Sequence, residues 1–251
     1  MSRVQTKPSL PAQWKYWGAG FNVPPCVGPV NLEQLLVDTA KEDGMADNPR
    51  LYVMAVTWLA EHHEIIELDQ LARLAEKLRG RDSARLGLLL ETAQKFIGAG
   101  VFSQVLLVCQ PWETPEPLCD VDRSSPGMVR TAERKASPLS LKWGLWADPI
   151  DELKHDAMRP ASWIAQANPE FLFRKLLKGD VRSKVISALA GLGQNEVSET
   201  NLTRRVGCTR RAMHLALENL EASGLIFRQR QGRRYAISLS RPYESPSPVG
   251  R

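Results

Sequence analysis

Residues 180–239 read DVRSKVISALAGLGQNEVSETNLTRRVGCTRRAMHLALENLEASGLIFRQRQGRRYAISL. Asp180 can accept from the orphan N–H groups that open a helix. Val181, Val185, Leu189 and Leu192 then recur at helical spacing on one stripe, and Gly191 and Gly193 end it. Val197 is a lone apolar residue in a short extended piece, and Ser198 can cap a second helix that turns Leu202 and Val206 inward. Gly207-Cys208 leaves room only for a turn. Thr209 can cap a third helix, with Met213, Ala216, Leu217 and Leu220 inward and Gly224 placed to stop it. Leu225, Phe227, Tyr235, Ile237 and Leu239 alternate with Arg228, Arg230, Arg234 and Ser238 about a Gln231-Gly232 turn, the period of a hairpin buried on one face.

Charge is not spread evenly around these elements. Between Arg174 and Arg241 stand 14 Lys+Arg against 5 Asp+Glu; the other 19 basic and 23 acidic residues leave the remainder mildly anionic, so a net charge of +5 conceals a basic module. After Lys184 every basic residue is arginine, whose planar fork matches phosphate and guanine edges. Arg210, Arg211 and His214 occupy the outer side of the third helix in its first half, whereas Glu218 and Glu221 occupy the second. Base-reading helices meet base edges with their N-terminal residues, so this polarity suits entry into a major groove. Arg204 and Arg205 close the second helix, and Arg228, Arg230, Arg233 and Arg234 line the hairpin. A charge run is ordinarily just a solvated face; the local sign bias is what favours nucleic acid here.

Gly207-Cys208-Thr209-Arg210-Arg211, followed by LALENLEASGLIFRQRQGRRYAI at 215–237, resembles bacterial winged helix-turn-helix transcriptional regulators of the broad MarR/ArsR kind, over about 60 of the 251 residues. The resemblance implies double-stranded DNA as partner, a homodimer, a recognition helix over 209–222 with Thr209, Arg210, Arg211 and His214 at reading positions, and an arginine-rich wing over 228–234. The alternative is a protein-docking module, an antitoxin-like inhibitor or an assembly subunit. RNA binding through the same face is the weakest reading.

The rest of the chain predicts a mainly α protein with small β-hairpins. Residues 1–30 hold five prolines with Trp14, Tyr16, Trp17 and Phe21, an aromatic arm with little regular structure that packs on its own domain or a partner. Residues 31–110 read as a helical domain. Asn31 and the Asn48-Pro49 pair mark helix starts, and the order from Pro49 through VFSQVLLVCQ, taken as a strand, repeats the C-terminal order closely enough to suggest a degenerate winged helix that docks a protein partner. Five prolines between Pro111 and Ser140 predict a linker over 111–140. Connector helices are expected near 149–157, 160–167 and 169–177 within 141–178, with Arg174, Lys175 and Lys178 near phosphates. The DNA-binding module then spans 179–241, and 242–251 reads as a disordered tail.

Glu61-His62-His63-Glu64 invites a metal reading, but adjacent helical side chains diverge by about 100°, so a solvated helix end is expected. Cys26, Cys109, Cys119 and Cys208 form no C-x-x-C pair and read as buried or idle thiols. No glycine-rich phosphate loop, nucleophile elbow or H-E-x-x-H stands in the sequence, so no catalytic residue, metal or cofactor is expected. No run of ~18 apolar residues and no signal-peptide core is present, and the cytoplasm is the expected setting.

Overall fold

The computed structural model describes residues 8–177, 180–190, 192, 196–231 and 234–240. It is mainly helical and divides into two compact units, Met1–Gly28 with Leu32–Ile164, and Pro29–Asn31 with Ala165–Arg251.

The first unit begins where the sequence predicted an irregular arm. Pro11 near the start of α1 (Leu10–Tyr16) suits a helix start, and Trp14 and Trp17 go fully inside. Both meet Trp58 edge-on, with ring centroids 5.7 and 6.0 Å apart. The buried indoles are satisfied: Trp14 Nε1 donates to Thr39 Oγ1 at 2.8 Å, and Trp58 Nε1 donates to the Trp17 carbonyl at 2.6 Å. The arm therefore packs on its own unit. Helix α2 (Leu32–Ala40) buries Leu32, Leu35 and Leu36 as expected. Helix α3 (Pro49–His62) starts at the Asn48-Pro49 signal, with the Asn48 side chain accepting from the Arg50 N–H at 3.2 Å. It packs along α5 (Gly80–Ile97), while α2 lies against α5 and α4 (Leu68–Ala75).

Four expectations for this unit need correction. VFSQVLLVCQ is not a strand: its middle forms α6 (Ser103–Leu106), burying Phe102 and Val105 and leaving Leu107 86% exposed. The buried positions three apart follow a helical period that a short apolar run conceals. With α6 in that place, no hairpin follows α5 among the described residues, so the degenerate winged-helix repeat is not formed.

The stretch 111–140 is not a linker. It carries β1 (Glu116–Pro117), α7 (Pro126–Lys135) and the start of α8 (Pro138–Lys142), and β1 pairs in parallel with β2 (Leu145–Trp146). Two of its five prolines open helices rather than break them: Ser125 and Ser137 cap α7 and α8, each followed at once by proline. Trp143 then fills a slot over Gly87, where a Cβ would stand 2.2 Å from the indole, and its Nε1 donates to Glu91 at 2.7 Å.

The helix expected at 149–157 is also absent. Beyond Asp148-Pro149 only the 3-10 turn His155–Ala157 forms. Side chains from α3 and α5 take the backbone groups a helix would have used: the Lys154 N–H donates to Thr57 Oγ1 at 3.1 Å, and Lys95 Nζ donates to the Ile150 carbonyl at 3.3 Å. Finally, His62 is no solvated helix end. It is 6% exposed and packs edge-on against Trp58 at 5.2 Å, while its neighbour Glu61 accepts from His155 Nδ1 at 2.7 Å.

Helix α9 (Ala161–Ala167) crosses the division between units. In the second unit α10 (Pro169–Leu176) is capped by Asn168, packs on α11 (Val181–Ala190), and is followed by β3 (Val197–Ser198), α12 (Glu199–Val206), α13 (Arg210–Ala222), β4 (Ile226–Gln231) and β5 (Arg234–Leu239). The strands form one antiparallel sheet in the order β3-β5-β4. Val185, Leu189, Leu202, Met213, Leu217 and Leu220 join Ile226 and Ile237 in a single core, the residues their helical spacing selected.

Candidate nucleic-acid interface

Helix α12 ends at Gly207, whose φ of 71° and ψ of 38° place it in the left-handed region where a Cβ is unwelcome. Two residues later Thr209 Oγ1 accepts from the Ala212 N–H at 3.2 Å and fixes the start of α13. Thr209 thus serves first as a cap. The turn brings the last residues of α12 next to the first of α13, so that Arg204 and Arg210 meet at one corner; Arg205 and Arg211, beside them in sequence, are exposed as well. Beside that corner lies an open groove of about 640 Å³ lined by Thr200, Thr203, Arg204, Cys208, Arg210 and, from β5, Tyr235. Glu199 is the one acidic group among the lining residues.

The hairpin differs from its sequence reading in phase. The register pairs Ile226 with Leu239, Arg228 with Ile237 and Arg230 with Tyr235. Partners across a ladder share a face, so Ile226, Arg228 and Arg230 stand with Tyr235, Ile237 and Leu239. Phe227, expected inside, is on the other face and is 68% exposed, while Ile226 is 2% exposed. Both residues are apolar and adjacent, so the alternation could be started on either; a slip of one residue turns every side chain over. Tyr235, also expected inside, is 47% exposed and forms the far wall of the groove. It is the site residue that the sequence reading missed, although an aromatic beside the arginine-rich tip was the signal for it.

Arg228 is a second correction. Its Nε donates to Glu221 Oε2 at 2.6 Å, its Nη2 joins the same oxygen, and its guanidinium lies over the Tyr235 ring at 5.8 Å. That hydrogen bond holds the guanidinium charge more firmly still, raising the pKa. Arg228 ties β4 to α13 instead of waiting for a ligand. Replacing Glu221 with Ala is therefore expected to loosen the hairpin by about 1.5 kcal/mol, the low end of the range for a hydrogen bond between charged groups because the Glu221 side chain is 40% exposed. Faster amide hydrogen exchange along β4, at constant exchange in α11, is the readout.

The remaining site residues fall as follows. Arg230 is exposed opposite Tyr235, and Arg234 opens β5 opposite Gln231. Arg233 lies outside the described residues, as does Lys178. His214 is exposed on α13 and pairs with Glu218, 3.2 Å from Nε2 to Oε1. Arg174, expected near phosphates, is instead fully buried with Glu170 at 2.7 Å, a pair internal to α10. Asp180 accepts from the Arg182 N–H at 2.8 Å, and the Arg182 guanidinium holds its carboxyl below the usual carboxylate range.

The thiols are passive. Burial pushes Cys109 and Cys119 up to about 12 and raises Cys208 in the α12–α13 turn, which keeps all three protonated at neutral pH. Among the described residues no helix is long and apolar enough to cross a membrane. No protein-family model matches this chain, and neither a curated protein nor a solved structure matches it.

Proposed function

We propose that residues 180–240 form a winged helix-turn-helix that binds duplex DNA, and that the chain is a cytoplasmic transcriptional regulator. One observation carries the reading: Arg204 from α12 and Arg210 from α13, both exposed, line one open groove together with Tyr235, with the exposed Arg205 and Arg211 next to them in sequence. A solvated surface has no need to concentrate one sign of charge at a corner that also offers a concave seat.

In this account α13 is the recognition helix and enters the major groove by its first turn. Arg210 and Arg211 reach base edges, Arg204 and Arg205 take flanking phosphates, and Arg230 on the wing holds the backbone. Most of the affinity comes from counterions released by those contacts. A homodimer would present two copies of α13 to half-sites about 34 Å apart, one helical turn of DNA. The helical first unit is left to dock a protein partner or set that spacing.

Selection of bound fragments from a random duplex pool tests the reading. Enrichment of a two-fold-symmetric site is the expected outcome, and replacing Arg210 or Arg211 with Ala should then relax preference at individual positions by ~1–3 kcal/mol. Failure to retain any duplex would contradict it. A second reading, protein docking on the hairpin, is favoured by Phe227, whose exposed ring on the face away from the core is an anchor for an apolar partner surface.

A further inference from the structure

We infer that Leu215 is a specificity-determining residue of α13, one that recognises the 5-methyl group of thymine in a major groove. The inference rests on the DNA-binding reading above. The solvent face of α13 is the stripe Arg211, His214, Leu215 and Glu218, at i, i+3, i+4 and i+7, opposite the buried Met213, Ala216, Leu217 and Leu220. Leu215 is 50% exposed in the middle of that stripe, the single exposed large apolar residue on the helix.

Its neighbours narrow what it can do. His214 and Glu218 are paired with each other at 3.2 Å. Asn219, one turn further on, folds its amide back to donate to the Leu215 carbonyl at 2.8 Å. The polar groups nearest Leu215 thus have partners within the helix, and an isobutyl group is left projecting between Arg211 and the helix end. Leu215 lies about 7–8 Å along the axis from the first residue of α13, at ~1.5 Å per residue, a depth within the reach of a helix seated by its N-terminus. A major groove offers one apolar group to a base-reading side chain, the methyl of thymine. Arg211 beside it offers the fork that suits guanine, so the two together favour a thymine next to a guanine.

The test uses the full chain and the duplex enriched from the random pool, with each thymine of the enriched site replaced singly by deoxyuridine. The parent is expected to lose about three- to five-fold in affinity at one thymine per half-site, the worth of one buried methyl. Leu215→Ala is expected to bind that duplex more weakly, to be indifferent to the same replacement, and to keep the parent's salt slope. Equal binding of every deoxyuridine duplex by the parent would overturn the assignment of Leu215 and leave DNA binding standing. Retention of duplex with no enriched sequence would overturn it as well. Absence of duplex binding altogether would remove the proposed function and this inference together, pointing Leu215 toward a protein partner.

Discussion

Replacing Arg204, Arg205, Arg210 and Arg211 together with alanine is expected to weaken binding of the full chain to duplex DNA by about a thousand-fold near 0.15 M salt. Each phosphate neutralised contributes about 0.9 to the slope of log K against log salt. At that salt concentration one phosphate contact is worth roughly five-fold, so losing Arg204 and Arg205 costs about thirty-fold; losing the base-edge contacts of Arg210 and Arg211, at ~1 kcal/mol or more each, costs about thirty-fold again on the enriched site. The slope should become shallower by about 2, for the two phosphate contacts of Arg204 and Arg205. All four side chains are exposed, so the variant should keep its fold; unchanged far-ultraviolet circular dichroism is the control. Titrations by fluorescence anisotropy at several salt concentrations separate the two effects. A variant that binds as the parent does would move the interface off the α12–α13 corner.

Gly144→Ala is expected to destabilise the first unit by about 2–5 kcal/mol. Gly144 has φ of 67°, where a side chain costs about 1–2 kcal/mol, and a Cβ there would stand 1.9 Å from the Trp112 carbonyl oxygen. That oxygen belongs to backbone held in place: the Trp112 N–H donates to the Trp143 carbonyl at 3.0 Å, and the Gly144 N–H donates to the Leu141 carbonyl at 2.9 Å. Neither side can yield without opening the β1–β2 pair, so an overpacking cost of about 1–3 kcal/mol adds to the backbone strain. All seven tryptophans lie before residue 164, so their fluorescence reports unfolding of this unit in urea. A midpoint equal to the parent's would mean that 111–146 is not integral to the unit.

That second result bears on what a reader of the sequence can and cannot see. The helices of the second unit were legible because their apolar residues recur at one period and their ends carry explicit signals. Ser198, Thr209 and Gly207 sit at the caps their chemistry suits, and Val185, Leu189, Leu202, Met213 and Leu217 went to the core. The segment 111–140 was not legible because proline has two meanings. It interrupts a helix from within, yet it starts one when Ser125 or Ser137 precedes it as a cap. Burial of Trp143 over Gly87 is a long-range fit that no local pattern announces.

Within the candidate site the same division holds. The placement of Arg204 at the end of α12 and of Arg210 at the start of α13 was readable from the caps and the short turn between them. The phase of β4 was not, since Ile226 and Phe227 are both apolar and only the ladder to β5 decides which one faces inward. Arg228 was misjudged for a related reason. Once Ile226 is inside, Arg228 shares its face and comes within reach of Glu221, seven residues back on α13. Arg174 shows the limit of counting charge: a basic residue contributes to a surface only if it is on one, and this one is buried with Glu170.

The most direct measurement is a salt titration of the unmodified full chain against a fluorescently labelled random duplex of about 30 base pairs, read as anisotropy from ~50 to ~300 mM salt. Log K is predicted to fall linearly with log salt, with a slope of about −3 or steeper, close to one unit for each of the phosphate contacts of Arg204, Arg205 and Arg230. An affinity that does not change over this range, or no binding even at the lowest salt, would contradict the proposed DNA binding.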